Sequence, residues 1–83
     1  MFINKAKDGK NNICGKQIAS YRIKMGISQK KLSDRLQIIG LNIDKNAIQR
    51  IESGQRFVTD MELVFLARAL DKEISDLLNE DNI

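Results

Sequence analysis

In the segment "DKNAIQRIES", the side chains of Lys45, Asn46, Gln49 and Arg50 are spaced for recognition chemistry rather than for making or breaking bonds. On a helix advancing about 100° per residue, Asn46, Gln49, Arg50 and Ser53 centre on one side, with Lys45 at its flank. Asp44, Ala47, Ile48 and Ile51 gather on the opposite side. A carboxamide offers donors and an acceptor together, a guanidinium a planar fork of donors, and an ammonium a point charge. A face carrying these groups, with no acid and no apolar residue, suits a partner that is polar and negatively charged. The solvated side of an ordinary helical bundle has the same polarity, so the surrounding chain must separate the two readings.

Other chemistries are poorly supplied. The chain has no His and a single Cys, Cys14, so neither a Cys/His zinc site nor a His-based catalytic pair can be assembled. There is no Gly-rich phosphate loop and no cluster with metal-ligand spacing, so an enzyme is not expected, nor any metal or cofactor. One cysteine cannot make an intrachain disulfide, and a reducing, cytoplasmic location follows as the natural expectation. Cys14 reads as a small buried hydrophobe, with a reactive thiol near a helix start as the lesser alternative. No apolar run approaches membrane-spanning length, and "MFINKAKDGKNN" lacks the apolar core of a signal peptide.

Charge sharpens the picture. The net charge is +3, but residues 1–31 hold eight basic side chains against one acid, Asp8. From Thr59 onward, Arg68 and Lys72 face seven acids. A fold that keeps these ends apart presents one surface that attracts polyanions and one that repels them.

The positioning elements follow from periodicity. Eighty-three residues suit one small domain, and zero Pro with five Gly favours helices over strands and turns. Residues 1–11 read as a flexible basic arm and residues 12–83 as the folded domain. Asn12 is a candidate cap for a first helix with the stripe Cys14, Ile18, Tyr21 and Met25, stopped at Gly26. Ser28 caps a second helix, "QKKLSDRLQII", whose Leu32, Leu36 and Ile39 share a face before Gly40. The run "LQIIGLNI" is split by Gly40 and has no β-branched partner strand, so a helix and a turn fit it better than strands. Asp44 caps the third helix, which ends near Ser53 with Gly54 as its stop. Thr59 and Glu62 have capping-box spacing, and Val58 and Leu63 that of a hydrophobic staple, for a fourth helix "MELVFLARAL". A fifth, around "EISDLLNE", turns Ile74, Leu77 and Leu78 inward. The fold class is all-α, with five helices.

The order "CGKQIASYRIKMGISQKKLSDRL…IQRIESGQR" resembles the phage-repressor/Cro-type helix-turn-helix proteins, the XRE family. The matching positions are Gly15, Ile18, Arg22, Gly26, Ile27, Ser28, Gln29, Leu32, Leu36, Ile48, Ile51, Glu52 and Gly54. The resemblance runs on through "FLARALDKEISDLL" and covers roughly residues 13–79. It implies a five-helix lambda-repressor-like fold whose third helix enters the DNA major groove. One departure is plain: from Leu36 to Asp44 the chain takes eight steps where the family usually takes about three. The extra length reads as a further turn of helix 2 followed by a turn anchored by Leu41 and Ile43. It either lengthens a connection or re-aims Lys45 and Asn46.

An α-helix fills the major groove, where each base pair presents its own donor and acceptor pattern. There Arg50 suits guanine O6 and N7, Asn46 or Gln49 suits adenine, and Lys45 serves a base or a phosphate. The resemblance further implies that Gln29, Ser53, Gln55 and Arg56 contact DNA phosphates, and that Arg22 and Glu52 form a structural ion pair between helices 1 and 3. For Lys30 and Lys31, phosphate contact and plain solvation are equally supported. The excess apolar surface of Met61, Val64 and Phe65, with Phe57 before it, is either core or a self-association face. The expected function is a sequence-specific transcriptional regulator, a repressor, binding double-stranded DNA as a homodimer on a two-fold symmetric operator. No small-molecule ligand is expected. The alternative is a protein-interaction or antitoxin-like module that uses the same bundle and binds DNA weakly.

Overall fold

Where helices begin, side chains take up the orphaned backbone amides. In the computed structural model, which describes residues 9–79, five helices are present and no strand occurs among the described residues. They are α1 (Gly15–Lys24), α2 (Gln29–Ile38), α3 (Lys45–Glu52), α4 (Asp60–Ala69) and α5 (Ile74–Leu77). The Ser28 hydroxyl accepts from the Lys31 amide at 3.0 Å, and the Asp44 carboxylate from the Ala47 amide at 2.9 Å. At α4 the capping box is complete: Thr59 Oγ1 accepts from the Glu62 amide, and Glu62 Oε1 from the Thr59 amide. α1 starts differently. Its cap position is Cys14, and Asn12 Oδ1 reaches forward to accept from the Gly15 amide at 2.8 Å.

The core is aliphatic. Ile18, Leu32, Leu36, Ile48, Ile51, Leu66, Leu70 and Leu77 are fully buried. Burying each such side chain stabilises the fold by about 1.5–3 kcal/mol. α3 packs on α1 and α2, α4 on α2, and α5 joins α1 to α4. The helix that carries the polar face is thus clamped from behind by two others.

Several expectations change at element ends. Met25 falls just past the end of α1 and is half-exposed, while Gln17, near the start of the helix, is buried. Burial of that polar side chain is eased by its Nε2 donating to the Asn79 carbonyl. α2 ends at Ile38, short of a full extra turn beyond Leu36, and Ile39 is its exposed cap residue. Leu41 and Ile43 close the core there instead. The Leu41 amide donates to the Leu36 carbonyl, while Ser33 Oγ and Gln37 Nε2 both donate to the Ile43 carbonyl at 2.8 and 3.2 Å. Gly40 makes the intervening turn at φ +112°, a value few residues with a Cβ adopt. In α5 only Leu77 is buried; Ile74 and Leu78 stay largely exposed because a single turn turns one side inward. Residues 1–8 of the basic arm, with Glu80 and Asp81 at the other end, lie outside the described residues. Asn11, assigned to the arm by composition, is held by the domain: its amide donates to the Gly54 carbonyl.

Candidate nucleic-acid interface

α3 separates its two chemistries cleanly. Ala47, Ile48 and Ile51 are buried, while Lys45, Asn46, Gln49 and Arg50 are all exposed. The N-terminal end is held by the Asp44 cap and by the hydrogen bonds that α2 makes to the Ile43 carbonyl just before it. At the other end the Arg50 carbonyl accepts from the Gln55 and Arg56 amides and from Ser53 Oγ. Between α2 and the start of α3 opens a cleft of about 450 Å³ lined by Lys30, Ser33, Gln37, Asp44 and Lys45.

Glu52 is the junction of the site. Its Oε2 accepts from Arg22 Nε at 2.6 Å, and its Oε1 from Arg22 Nη2 and from Gln29 Nε2, both at 3.0 Å. The same guanidinium reaches the Ile27 carbonyl through Nη1 at 2.8 Å. The Arg22 and Glu52 side chains are 13% and 8% exposed, so this two-pronged pair is largely shielded from water. One carboxylate therefore joins α1, the start of α2 and the end of α3. Gln29 spends one amide N–H on Glu52 and retains a second.

The three loop residues expected at phosphates differ in their intrachain partners. The Ser53 hydroxyl turns back to the Arg50 carbonyl, and the Gln55 side chain is exposed. Arg56 is engaged inside the chain: Nη1 and Nη2 donate to Glu62 Oε1 and Oε2 at 3.0 and 2.8 Å. It fastens the loop to the first turn of α4, and spacing alone does not reveal that partner. Hydrogen bonding from Arg56 holds the Glu62 carboxyl below its ordinary range, outweighing its partial burial. A carboxyl depressed in this way stabilises the fold above its unfolded pKa, and that contribution is lost as the pH falls through the folded value. Glu62→Gln is accordingly expected to flatten the acid limb of a thermal-melting profile below about pH 4.5, the ordinary carboxylate value. An unchanged acid limb would contradict this.

Two contributors were missed in the sequence. Asn12, read only as a cap, also donates through Nδ2 to the carbonyls of Ile51 and Arg56 at 3.1 and 2.7 Å. Gly15, read only as a matching position, lies so close to α3 that an added Cβ would stand 2.2 Å from the Ile51 carbonyl oxygen. Burial pushes the Cys14 thiol up to about 11, so it is protonated at neutral pH and behaves as a small apolar side chain.

Residues 18–77 match the helix-turn-helix family model HTH_3, from within α1 to the end of α5. The chain belongs to the XRE-type helix-turn-helix family. Among solved structures it resembles the restriction-modification controller protein C.AhdI from Aeromonas hydrophila, at 30% identity and a TM-score of 0.68. That likeness covers 77% of this chain and 86% of the controller. It is also similar to the clp gene regulator ClgR from C. glutamicum, at 19% identity and a TM-score of 0.71 over 82% of each chain. The hypothetical transcription factor NHTF from Neisseria shares 16% identity and a TM-score of 0.76, over 93% of this chain and 83% of that one. The last two likenesses speak to the fold alone. No curated protein is significantly similar in sequence. As a helix-turn-helix chain, this is a DNA-binding transcription regulator. No helix among the described residues is long and apolar enough to cross a membrane.

Proposed function

We propose that the chain recognises a specific duplex sequence through α3, with Lys45, Asn46, Gln49 and Arg50 at base edges in the major groove. The observation that carries this reading is the exposed, acid-free polar face of α3, fixed from behind by Ala47, Ile48 and Ile51. Arg50 pairs with guanine O6 and N7, and Asn46 or Gln49 with adenine. Gln29 and Gln55 contact phosphates, and Ser53 does so by turning its hydroxyl from the Arg50 carbonyl; these contacts set affinity and salt dependence rather than sequence choice. Arg56 joins them only by exchanging Glu62 for a phosphate.

The active form is a homodimer on a two-fold symmetric operator, and its effect is repression. The self-association face is Met61 with Val64 and Phe65: Met61 is 70% exposed, whereas Phe65 is half-buried and packs on the core. Likeness to a restriction-modification controller supports a role in controlling transcription.

Arg50→Ala is expected to weaken binding to the preferred duplex by about 1–3 kcal/mol and to relax discrimination at one base pair. Binding to random duplex changes less. Titration of both duplexes at two salt concentrations checks this. A uniform loss across sequences, with a shallower salt slope, would instead make Arg50 a phosphate contact. If neither Arg50→Ala nor Asn46→Ala alters DNA binding while Met61→Lys abolishes association with a protein, the chain is an interaction module.

A further inference from the structure

The end of α3 is held by a second device besides the Arg22–Glu52 pair. Carbonyls at a helix C-terminus have no intrahelical donor and must be satisfied from elsewhere. Besides the amides of residues 53–56, which bond back to α3, donors here come from Asn11 and Asn12, just ahead of α1. Asn12 Nδ2 donates to the carbonyls of Ile51 and Arg56, at 3.1 and 2.7 Å. The Asn11 amide donates to the Gly54 carbonyl at 2.8 Å, and Asn11 Nδ2 to the Gln55 carbonyl at 2.9 Å. Four carbonyls, from the last turn of α3 and the loop behind it, are thereby tied to one dipeptide.

Asn12 is the centre of this arrangement because its acceptor is used as well. Oδ1 takes the Gly15 amide at 2.8 Å, so one side chain bonds the first residue of α1 and the last turn of α3 together. Beside it, Gly15 lets the two backbones approach to a distance that a Cβ would forbid. Among short side chains, only a carboxamide supplies one acceptor and two N–H donors at once. Aspartate retains the acceptor and loses both donors. The Arg22–Glu52 pair fixes the α3 end through side chains, whereas the asparagine clasp fixes its backbone.

We propose that Asn12 is a positioning residue for α3, setting the register of Gln49 and Arg50 at the DNA through the backbone of the α3 end. The proposal rests on the recognition reading above for its effect on DNA, while its structural half stands without DNA. Asn12→Asp preserves the cap on α1, loses both donations to the α3 end and sets a carboxylate oxygen against the two carbonyls. Asn12→Ala loses the cap and both donations without adding that repulsion, so the two variants are read together.

Two measurements on the full chain test it, both well below the unfolding midpoint. One is the ratio of affinities for a selected duplex and a random duplex; taking the ratio cancels the added charge of the aspartate. The other is amide hydrogen exchange without DNA. Asn12→Asp and Asn12→Ala are both expected to lower the ratio about tenfold, as fits the loss of two hydrogen bonds at the α3 end. Exchange should quicken at Ser53, Gly54, Gln55 and Arg56 while Leu66 and Leu70 keep their protection. An Asn12→Asp chain indistinguishable from wild type would overturn the proposal, leaving Asn12 as a cap alone. Faster exchange spread evenly over the domain would overturn it too, because the effect would then be global stability. If the wild-type chain itself does not discriminate between duplexes, the recognition reading falls, and exchange decides the clasp: local acceleration upholds it and uniform acceleration overturns it.

Discussion

Glu52→Ala is expected to destabilise the domain by about 3–5 kcal/mol, the cost of stripping one partner from a buried ion pair. Small domains have only about 5–15 kcal/mol of net stability, so much of the chain would unfold near physiological temperature. The reason lies in what Glu52 leaves behind. The Arg22 guanidinium, 13% exposed at the side chain, would keep the Ile27 carbonyl and lose its counter-charge. Gln29 Nε2 would lose its acceptor at the same time. Removing the charge of both partners should cost less than either single change, since a shielded pair of apolar side chains carries no desolvation penalty. Denaturant titration of Arg22→Met, Glu52→Met and the double variant reads this as midpoint shifts at constant slope. A loss below about 1 kcal/mol for Glu52→Ala would place the pair among ordinary exposed salt bridges.

Gly15→Ala should destabilise the fold although alanine is the better helix former. Intrinsic propensity favours the change by about 1 kcal/mol. Against it, the new Cβ would sit 2.2 Å from the Ile51 carbonyl oxygen, 2.9 Å from Asn12 Oδ1 and 3.2 Å from the Glu52 carbonyl oxygen. The nearest of these atoms is backbone, so no rotamer change relieves it; α1 and α3 must separate. A net cost of about 3 kcal/mol, at the upper end of overpacking, is expected. Gly26→Ala is the contrast: nothing lies within 4 Å of its Cβ position, and only its φ of +72° resists substitution. That costs about 1–2 kcal/mol. Thermal melts of the two variants compare them directly, and a Gly15→Ala chain as stable as wild type would show that α1 and α3 can move apart freely.

What was legible in the sequence is what depends on local spacing. Ala47, Ile48 and Ile51 turn inward because a 3.6-residue period leaves no other side for them, and the exposure of Lys45, Asn46, Gln49 and Arg50 follows from the same count. Thr59 and Glu62 meet because a capping box closes within one turn. Partners set by tertiary approach were not legible. Nothing in "KNNICG" tells Asn11 and Asn12 that the carbonyls of residues 51–56 will arrive beside them. Arg56 looked like one more cation beside the recognition helix until Glu62, across the turn, claimed it. The longer connection between α2 and α3 was visible as length. Its solution required Ser33, a buried hydroxyl that no apolar periodicity marks. Ile39 lost its inward place for the same reason, since the helix ended before it and Leu41 and Ile43 arrived from the loop.

Selection from random duplex DNA tests the central claim, that α3 reads base edges, more directly than any other measurement. The wild-type chain should enrich a site with two symmetric halves centred about one helical turn, roughly 34 Å, apart, each protected at guanine N7 in the major groove. The Arg50→Ala chain should enrich a site degenerate at one position of each half. No enriched sequence, or an enriched sequence unaltered by changes at Asn46, Gln49 and Arg50, would contradict the account.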